Sequence, residues 1–85
     1  MAKVIVTFRI MPRDVNVDLE KLEEDIRNTI KPEKLEREPI AFGLTAIRAI
    51  KLVDDAAGEL ENVENRIKMV ENVGNVEVVE ITRSL

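Results

Sequence analysis

Residues 3–11, K-V-I-V-T-F-R-I-M, alternate between two kinds of side chain and are followed directly by Pro12. Because successive side chains of a β-strand point to opposite faces, this alternation predicts a half-buried strand. One predicted face carries Val4, Val6, Phe8 and Ile10, and the other carries Lys3, Thr7 and Arg9. The chain therefore begins with a strand that has one face suited to a hydrophobic core.

A helix is predicted after this strand. Asp18 is a favourable N-cap, and Pro32 stops the pattern that follows it. Between them, apolar residues recur at the spacing of one helix face, which predicts an amphipathic helix of about three turns. These residues are Leu19, Leu22, Ile26 and Ile30. The polar stretch 31–38, K-P-E-K-L-E-R-E, is interpreted as a linker.

Residues 40–53 have a strand-like composition interrupted by Gly43, which indicates two strands joined near residues 41–44. The phase of the second of these strands is open. One face would carry Ile47, Ala49 and Lys51, and the other Leu44, Arg48, Ile50 and Leu52. We prefer the phase in which Ile47 and Ala49 face the core.

A second helix and a final strand complete the pattern. Leu60, Val63, Ile67 and Val70 are helically spaced, and Asn72 and Gly74 are predicted to end this helix. Residues 76–81, V-E-V-V-E-I, are rich in β-branched side chains and predict a strand.

The predicted order β-α-β-β-α-β indicates an α+β fold, the ferredoxin-like sandwich. Its four-stranded antiparallel sheet would carry both helices on one face. The other face would be open to water or a partner and would be lined by Thr7, Arg9 and Thr45. We expect residues 1–85 to form a single domain, since a chain of this length normally holds one core.

Composition excludes most catalytic and binding classes. The 85 residues include no Cys and no His, and Ser84 is the only serine, so a Ser-His-Asp triad is impossible. No Gly-rich phosphate-binding motif is present, and the net charge of −4 argues against nucleic-acid binding. No apolar run approaches the length of a membrane span. We therefore expect a cytoplasmic protein that is not an enzyme.

One apparent metal motif is better explained by local structure. Asp14, Asn16 and Asp18 reproduce the opening of an EF-hand calcium loop, but Leu19 stands where that loop needs glycine, and Asp25 where it needs glutamate. We favour a strand-to-helix loop with an aspartate cap and expect no metal site.

The two aromatic residues have different surroundings in the sequence. Phe8 lies in the first strand, whereas Phe42 lies between Pro39 and Gly43 at a predicted turn. A turn stiffened by proline can present an aromatic side chain to a partner at low entropic cost. Phe42 could equally fold back over the sheet edge as part of the core, and the residues alone leave both interpretations open.

The stretch R-E-P-I-A-F-G-L, residues 37–44, resembles the P-[IV]-G-[FY]-G-I segment of the eukaryotic elongation factor 1 exchange domain. Further similarities are V-x-x-x-I-M-P at the end of the first strand, the helix start L-E-K-L-E-E, and E-N-V before the last strand. Over its whole length the chain resembles archaeal elongation factor 1-beta, the guanine-nucleotide exchange factor for the GTPase elongation factor 1-alpha.

This resemblance implies the ferredoxin-like fold and an exchange activity in translation that needs no cofactor. It implies that Phe42, between Pro39 and Gly43, packs against elongation factor 1-alpha. In the eukaryotic relatives a lysine next to the C-terminus enters the magnesium site of the GTPase. Here Ser84 occupies that position, so either Arg83 or another residue would disturb the ion.

We also expect Arg13 and Asp14, in the loop after the first strand, to lie near this interface, and the free protein to be monomeric. Two alternatives remain. A regulatory module of the same element order would bind a small molecule and dimerise, although the loop after the first strand lacks the glycines typical of such modules. A structural subunit would use Phe42 for assembly without changing any rate.

Overall fold

The computed structural model describes residues 2–83, so Ser84 lies outside the described part of the chain. The predicted order β-α-β-β-α-β is confirmed. Its elements are β1 (Lys3–Pro12), α1 (Leu19–Ile30), β2 (Lys34–Pro39), β3 (Thr45–Asp54), α2 (Glu59–Lys68) and β4 (Val73–Arg83). Neither helix within residues 2–83 has the length and apolar character needed to cross a membrane.

The four strands form one antiparallel sheet in the order β2-β3-β1-β4. β1 lies inside the sheet, where Ile10 pairs with Ile47 of β3 and with Val76 of β4. Both helices pack on the same face, which is the ferredoxin-like arrangement that the element order predicts. Because all pairs are antiparallel, the β2–β3 turn and the loop after β1 lie at the same end of the sheet.

The core lies between the sheet and the helices. Phe8 and Ile10 of β1 are fully buried there together with Ile47 and Ala49 of β3. The preferred phase of β3 is therefore confirmed. α1 contributes Leu22, Ile26 and Ile30, and α2 contributes Val63 and Ile67.

The open face differs from the prediction at one position. Thr7 and Arg9 pair across the sheet with Ile50 and Arg48, on the face opposite to the core. Thr45 was predicted to join them, but by strand alternation it shares the face of Ile47. Thr7 is 5% exposed, because the neighbouring side chains of the sheet cover it.

The interpretation of residues 31–38 as a linker was wrong for its second half. Residues 34–38 belong to β2, which pairs with β3 from Lys34 opposite Ile50 to Pro39 opposite Thr45. β2 is an edge strand, and Leu35 is its only residue that packs on the core. Charged side chains and a proline suit such an edge, because they prevent pairing with another chain. An edge strand therefore carries a weak hydrophobic pattern.

The end of α2 also differs from the prediction. The helix ends at Lys68 with Met69 as C-cap, and β4 begins at Val73, so Gly74 lies in the strand rather than at a helix end. A Cβ atom on Gly74 would lie 3.0 Å from the carbonyl oxygen of Pro12 and 3.1 Å from Cα of Arg13. Glycine at this position allows the two backbones to approach closely.

We expect Gly74→Ala to lower the free energy of unfolding by about 1–3 kcal/mol, the usual range for an overpacked site. The reason is that both close atoms are backbone atoms, which cannot move aside as a side chain can. Urea denaturation followed by circular dichroism measures the change. Asn75→Ala, at the next and exposed position, is the control, and equal stability of Gly74→Ala and the wild type would contradict the packing argument.

Candidate partner-binding site

The β2–β3 turn has the backbone conformation of a tight hairpin. The amide of Leu44 donates to the carbonyl of Ala41 at 3.0 Å, and the amide of Ile40 donates to the carbonyl of Leu44 at 2.9 Å. Phe42 and Gly43, the two central residues, have φ values of 55° and 80°. Positive φ at both central positions is the mark of a type I′ turn, whose twist matches that of the flanking strands.

Phe42 is almost completely exposed at this turn, with 97% of its surface accessible. It is therefore not part of the core, and that interpretation of Phe42 was wrong. Its positive φ is unfavourable for a bulky side chain, and such residues cost about 1–3 kcal/mol each. Exposure and backbone strain together identify Phe42 as a residue that the fold itself does not require.

The end of β2, residues 37–39, leads to this turn and is called the arm below. The arm is held on both faces of the sheet. On the helix side, Arg37 donates to both carboxylate oxygens of Glu23, at 3.2 and 2.9 Å. On the open side, Arg9 donates to Glu38 at 3.3 Å and to Glu77 of β4 at 3.2 Å. These hydrogen bonds raise the pKa of both guanidinium groups, and an arginine is in any case always charged in a protein. The residues before Pro39 are thus tied to α1 and across the sheet.

The loop after β1 lies beside the turn. The amide of Arg13 donates to the carbonyl of Asn72 at 2.8 Å, which fixes the start of the loop to the start of β4. Asp14 accepts from the amide of Asn16 at 2.8 Å. Further along, Cγ1 of Val15 lies 3.7 Å from the point where a Cβ atom on Gly43 would stand.

The aspartates of this loop serve its backbone. Asp18 accepts from the amides of Glu20 and Lys21, as the predicted N-cap should, which confirms the cap. Asp14 forms the local hydrogen bond to Asn16 that is typical of an Asx turn. Within residues 2–83 no group of acidic side chains is arranged to hold a metal ion.

Arg83 lies at the opposite end of the sheet. It pairs with Val4, and its Nη1 donates to Oδ2 of Asp55 at 2.6 Å. Val4 and Ile10 are six positions apart along the extended strand β1, which corresponds to about 20 Å. The molecule is elongated, with extents of 41 × 21 × 17 Å. The pairing register puts Arg83 and the turn that carries Phe42 at opposite ends of the sheet.

The structure therefore divides the residues predicted for partner binding into two groups. Phe42, Pro39 and Gly43 form the turn region, and Arg13 and Asp14 lie at the same end of the sheet. Arg83 is apart from all of these. The hydrogen bonds and the pairing register of the strands set Arg83 apart from the turn, and neither of them can be deduced from residue spacing.

Sequence reasoning did not identify two features of this site. The first is the role of Arg37 and Glu38, which were assigned to a linker. Each of them holds the arm by a hydrogen bond to a different element. The second is Val15, which is 56% exposed beside the turn. The loop 13–18, R-D-V-N-V-D, carries two valines, and only Val17 packs on the core, so Val15 is the apolar loop residue left without a core role.

Comparison with known proteins adds independent information. Residues 5–83 match the family model described as the EF-1 guanine nucleotide exchange domain. The chain is similar to elongation factor 1-beta of Methanothermobacter thermautotrophicus, with 40% identity over 98% of both chains. It is 44% identical to elongation factor 1-beta of Staphylothermus marinus, again over 98% of both. Elongation factor 1-beta of Thermoplasma acidophilum is 32% identical over 89% of this chain and 91% of the relative.

Proposed function

The chain belongs to the family of the EF-1 guanine nucleotide exchange domain, and from this premise we propose that it promotes GDP release and GTP loading on elongation factor 1-alpha by disturbing the magnesium and phosphate site of that GTPase. Residues 1–85 act as a single exchange domain that is monomeric on its own and works in the cytoplasm. The activity needs no cofactor, and it makes and breaks no covalent bond.

The observation that carries this proposal is the exposure of Phe42 on a strained turn. An aromatic side chain presented on a stiff hairpin binds an apolar pocket at small entropic cost, as interface hot spots do. The arm below the turn is held by Arg37 on one face and by Glu38 on the other, so the side chain is presented on a fixed support.

Exchange by such a surface follows from linkage. A factor that binds the nucleotide-free GTPase better than the GDP-bound form shifts the GTPase population toward the nucleotide-free form. By linkage, bound GDP weakens the binding of the factor by the same ratio. A coupling of about 4 kcal/mol corresponds to roughly a thousandfold weaker binding of GDP. Only differential affinity is required of the factor, which fits a chain without histidine or cysteine.

Two separate contacts give this differential affinity in the proposal. Phe42 anchors the factor on the GTPase, with Arg13 and Asp14 at the same edge of the contact. Arg83, at the other end of the sheet, is the candidate for the magnesium site. Magnesium bridges the phosphates and helps to hold the nucleotide. A cation that competes for this place therefore weakens the binding of GDP. Arg83 must leave Asp55 to take this role.

The test of the function is a release experiment. Elongation factor 1-alpha is loaded with a fluorescent GDP analogue, excess unlabelled GTP is added with magnesium, and the release rate is followed as the protein is titrated from catalytic amounts upward. Acceleration by catalytic amounts supports exchange. Failure of the wild type to accelerate release at any concentration contradicts the proposed function, whatever the variants do.

We expect Arg83→Ala to lower the maximal rate of release about tenfold in magnesium, the effect of about 1.4 kcal/mol. In excess EDTA the wild type and Arg83→Ala should differ little, because the ion that Arg83 displaces is already gone. Lys3→Ala is the matched control, since it removes an exposed cation at the same end of the sheet. A variant that is slowed equally with magnesium and with EDTA would remove Arg83 from the magnesium mechanism and leave that role to another residue.

The family match favours exchange over the alternative of a small-molecule regulatory module. The same titration separates exchange from a purely structural subunit, which would bind elongation factor 1-alpha through Phe42 without changing the release rate.

A further inference from the structure

We propose that Val15 is a positioning residue for Phe42, so that the loop after β1 and the β2–β3 turn act as one contact element. The effect on exchange rests on the proposed function. The effect on the conformation of the turn does not, and the two are tested separately.

Phe42 does not hold its own position. With 97% of its surface exposed, its side chain makes almost no contact with the rest of the described chain. Its location is therefore set by the backbone of the turn, where Phe42 and Gly43 both have positive φ. A strained backbone of this kind persists only where its surroundings restrain it.

Val15 supplies such a restraint from outside the hairpin. Its Cγ1 atom is 3.7 Å from the point where a Cβ atom on Gly43 would stand, so its side chain lies beside the backbone of the turn. Within residues 2–83 no other atom beyond the immediate chain neighbours of Gly43 comes within 4 Å of that point. Val15 is 56% exposed and lies outside the core cluster, so the core does not account for its apolar side chain.

The loop that carries Val15 is itself fixed. The amide of Arg13 is bonded to the carbonyl of Asn72, and Asp14 binds the amide of Asn16, so the residues on both sides of Val15 are restrained. This arrangement gives Asp14 a role in the geometry of the loop. A restrained loop beside the turn reduces the number of orientations that Phe42 samples before it binds.

We expect Val15→Ala to raise the factor concentration that gives half-maximal GDP release by about threefold to tenfold, the effect of losing preorganisation of one or two groups. The maximal release rate should stay unchanged, because the group that disturbs the nucleotide site lies elsewhere. Val15→Ile, which keeps a branched apolar side chain beside the turn, should give a half-maximal concentration near the wild-type value. Val79→Ala is the matched control, since it makes the same substitution at a partly exposed position of β4.

The positioning role is distinguished from a direct contact by crossing Val15→Ala with Phe42→Ala. If Val15 acts through Phe42, Val15→Ala changes nothing further in the Phe42→Ala background. A full and independent loss in that background overturns the proposal, as does an equal loss in Val79→Ala.

A measurement without the GTPase keeps the proposal testable if the wild type proves inactive in exchange. Backbone ¹⁵N relaxation of the free protein should show the order parameters of the Phe42 and Gly43 amides falling from about 0.8 toward about 0.6 in Val15→Ala. Recovery in Val15→Ile supports the restraint. Unchanged order parameters in Val15→Ala would show that the turn does not depend on Val15 and would overturn the proposal.

Discussion

The Phe42→Ala variant is expected to lose at least about 30-fold of its effect on GDP release at sub-saturating concentrations, as when an interface hot spot worth 2 kcal/mol or more is truncated. Phe42 is the most exposed large apolar side chain of the described residues, and its arm is held on both faces of the sheet. Removing the ring leaves the support intact and removes the group that would enter the partner's pocket.

The loss should lie in affinity. The half-maximal concentration of the factor should rise, while the maximal rate at saturation stays close to that of the wild type. Met69→Ala is a suitable control, because Met69 is 86% exposed and lies between α2 and β4, the strand at the sheet edge opposite to β2. Full activity of Phe42→Ala, or an equal loss in Met69→Ala, would contradict the anchoring role.

The same variant should not be less stable than the wild type. Because the ring is exposed, truncating it removes almost no buried surface, and φ remains positive in both proteins. Phe42→Gly should even raise the free energy of unfolding by about 1 kcal/mol, since glycine adopts positive φ without strain. A variant that is more stable but much less active would identify a strained residue kept for binding, which is the pattern expected of functional sites.

The accuracy of the fold prediction depended on how clearly apolar and polar positions alternate along each element. β1 and α1 have strong periodicities and a recognisable cap at Asp18, and both were predicted almost to the residue. β2 was missed in residues 34–38 because an edge strand buries little, so its pattern is set by charge. The end of α2 was placed too late, because Gly74 serves a close backbone approach and not a helix terminus.

The site was less predictable than the fold, and the reason is geometric. The turn at residues 41–44 has a local sequence signal, but the exposure of Phe42 depends on how the hairpin leaves the sheet. The distance between Phe42 and Arg83 depends on strand order and register, which no local pattern contains. Val15 lies beside Gly43 only because both belong to connections at the same end of the sheet.

The second large effect is expected at the other phenylalanine. Phe8→Ala should lower the free energy of unfolding by about 3–5 kcal/mol, since it removes a fully buried ring from the core between the sheet and both helices. A domain of this size has about 4–13 kcal/mol in total, so the variant should approach the limit of folding. Its melting temperature should fall by about 15–30 °C.

Thermal and urea denaturation followed by circular dichroism measure this loss, with Phe42→Ala as the matched control for the same substitution at an exposed site. Where Phe8→Ala is still folded, at low temperature, it should keep most of its exchange activity, because the turn and Arg83 are unchanged. Phe8→Leu should cost less, as it leaves a smaller cavity. A small loss of stability in Phe8→Ala would mean that the core collapses around the cavity. A large loss in Phe42→Ala would mean that its ring packs against the protein, contrary to the exposure from which its binding role is argued.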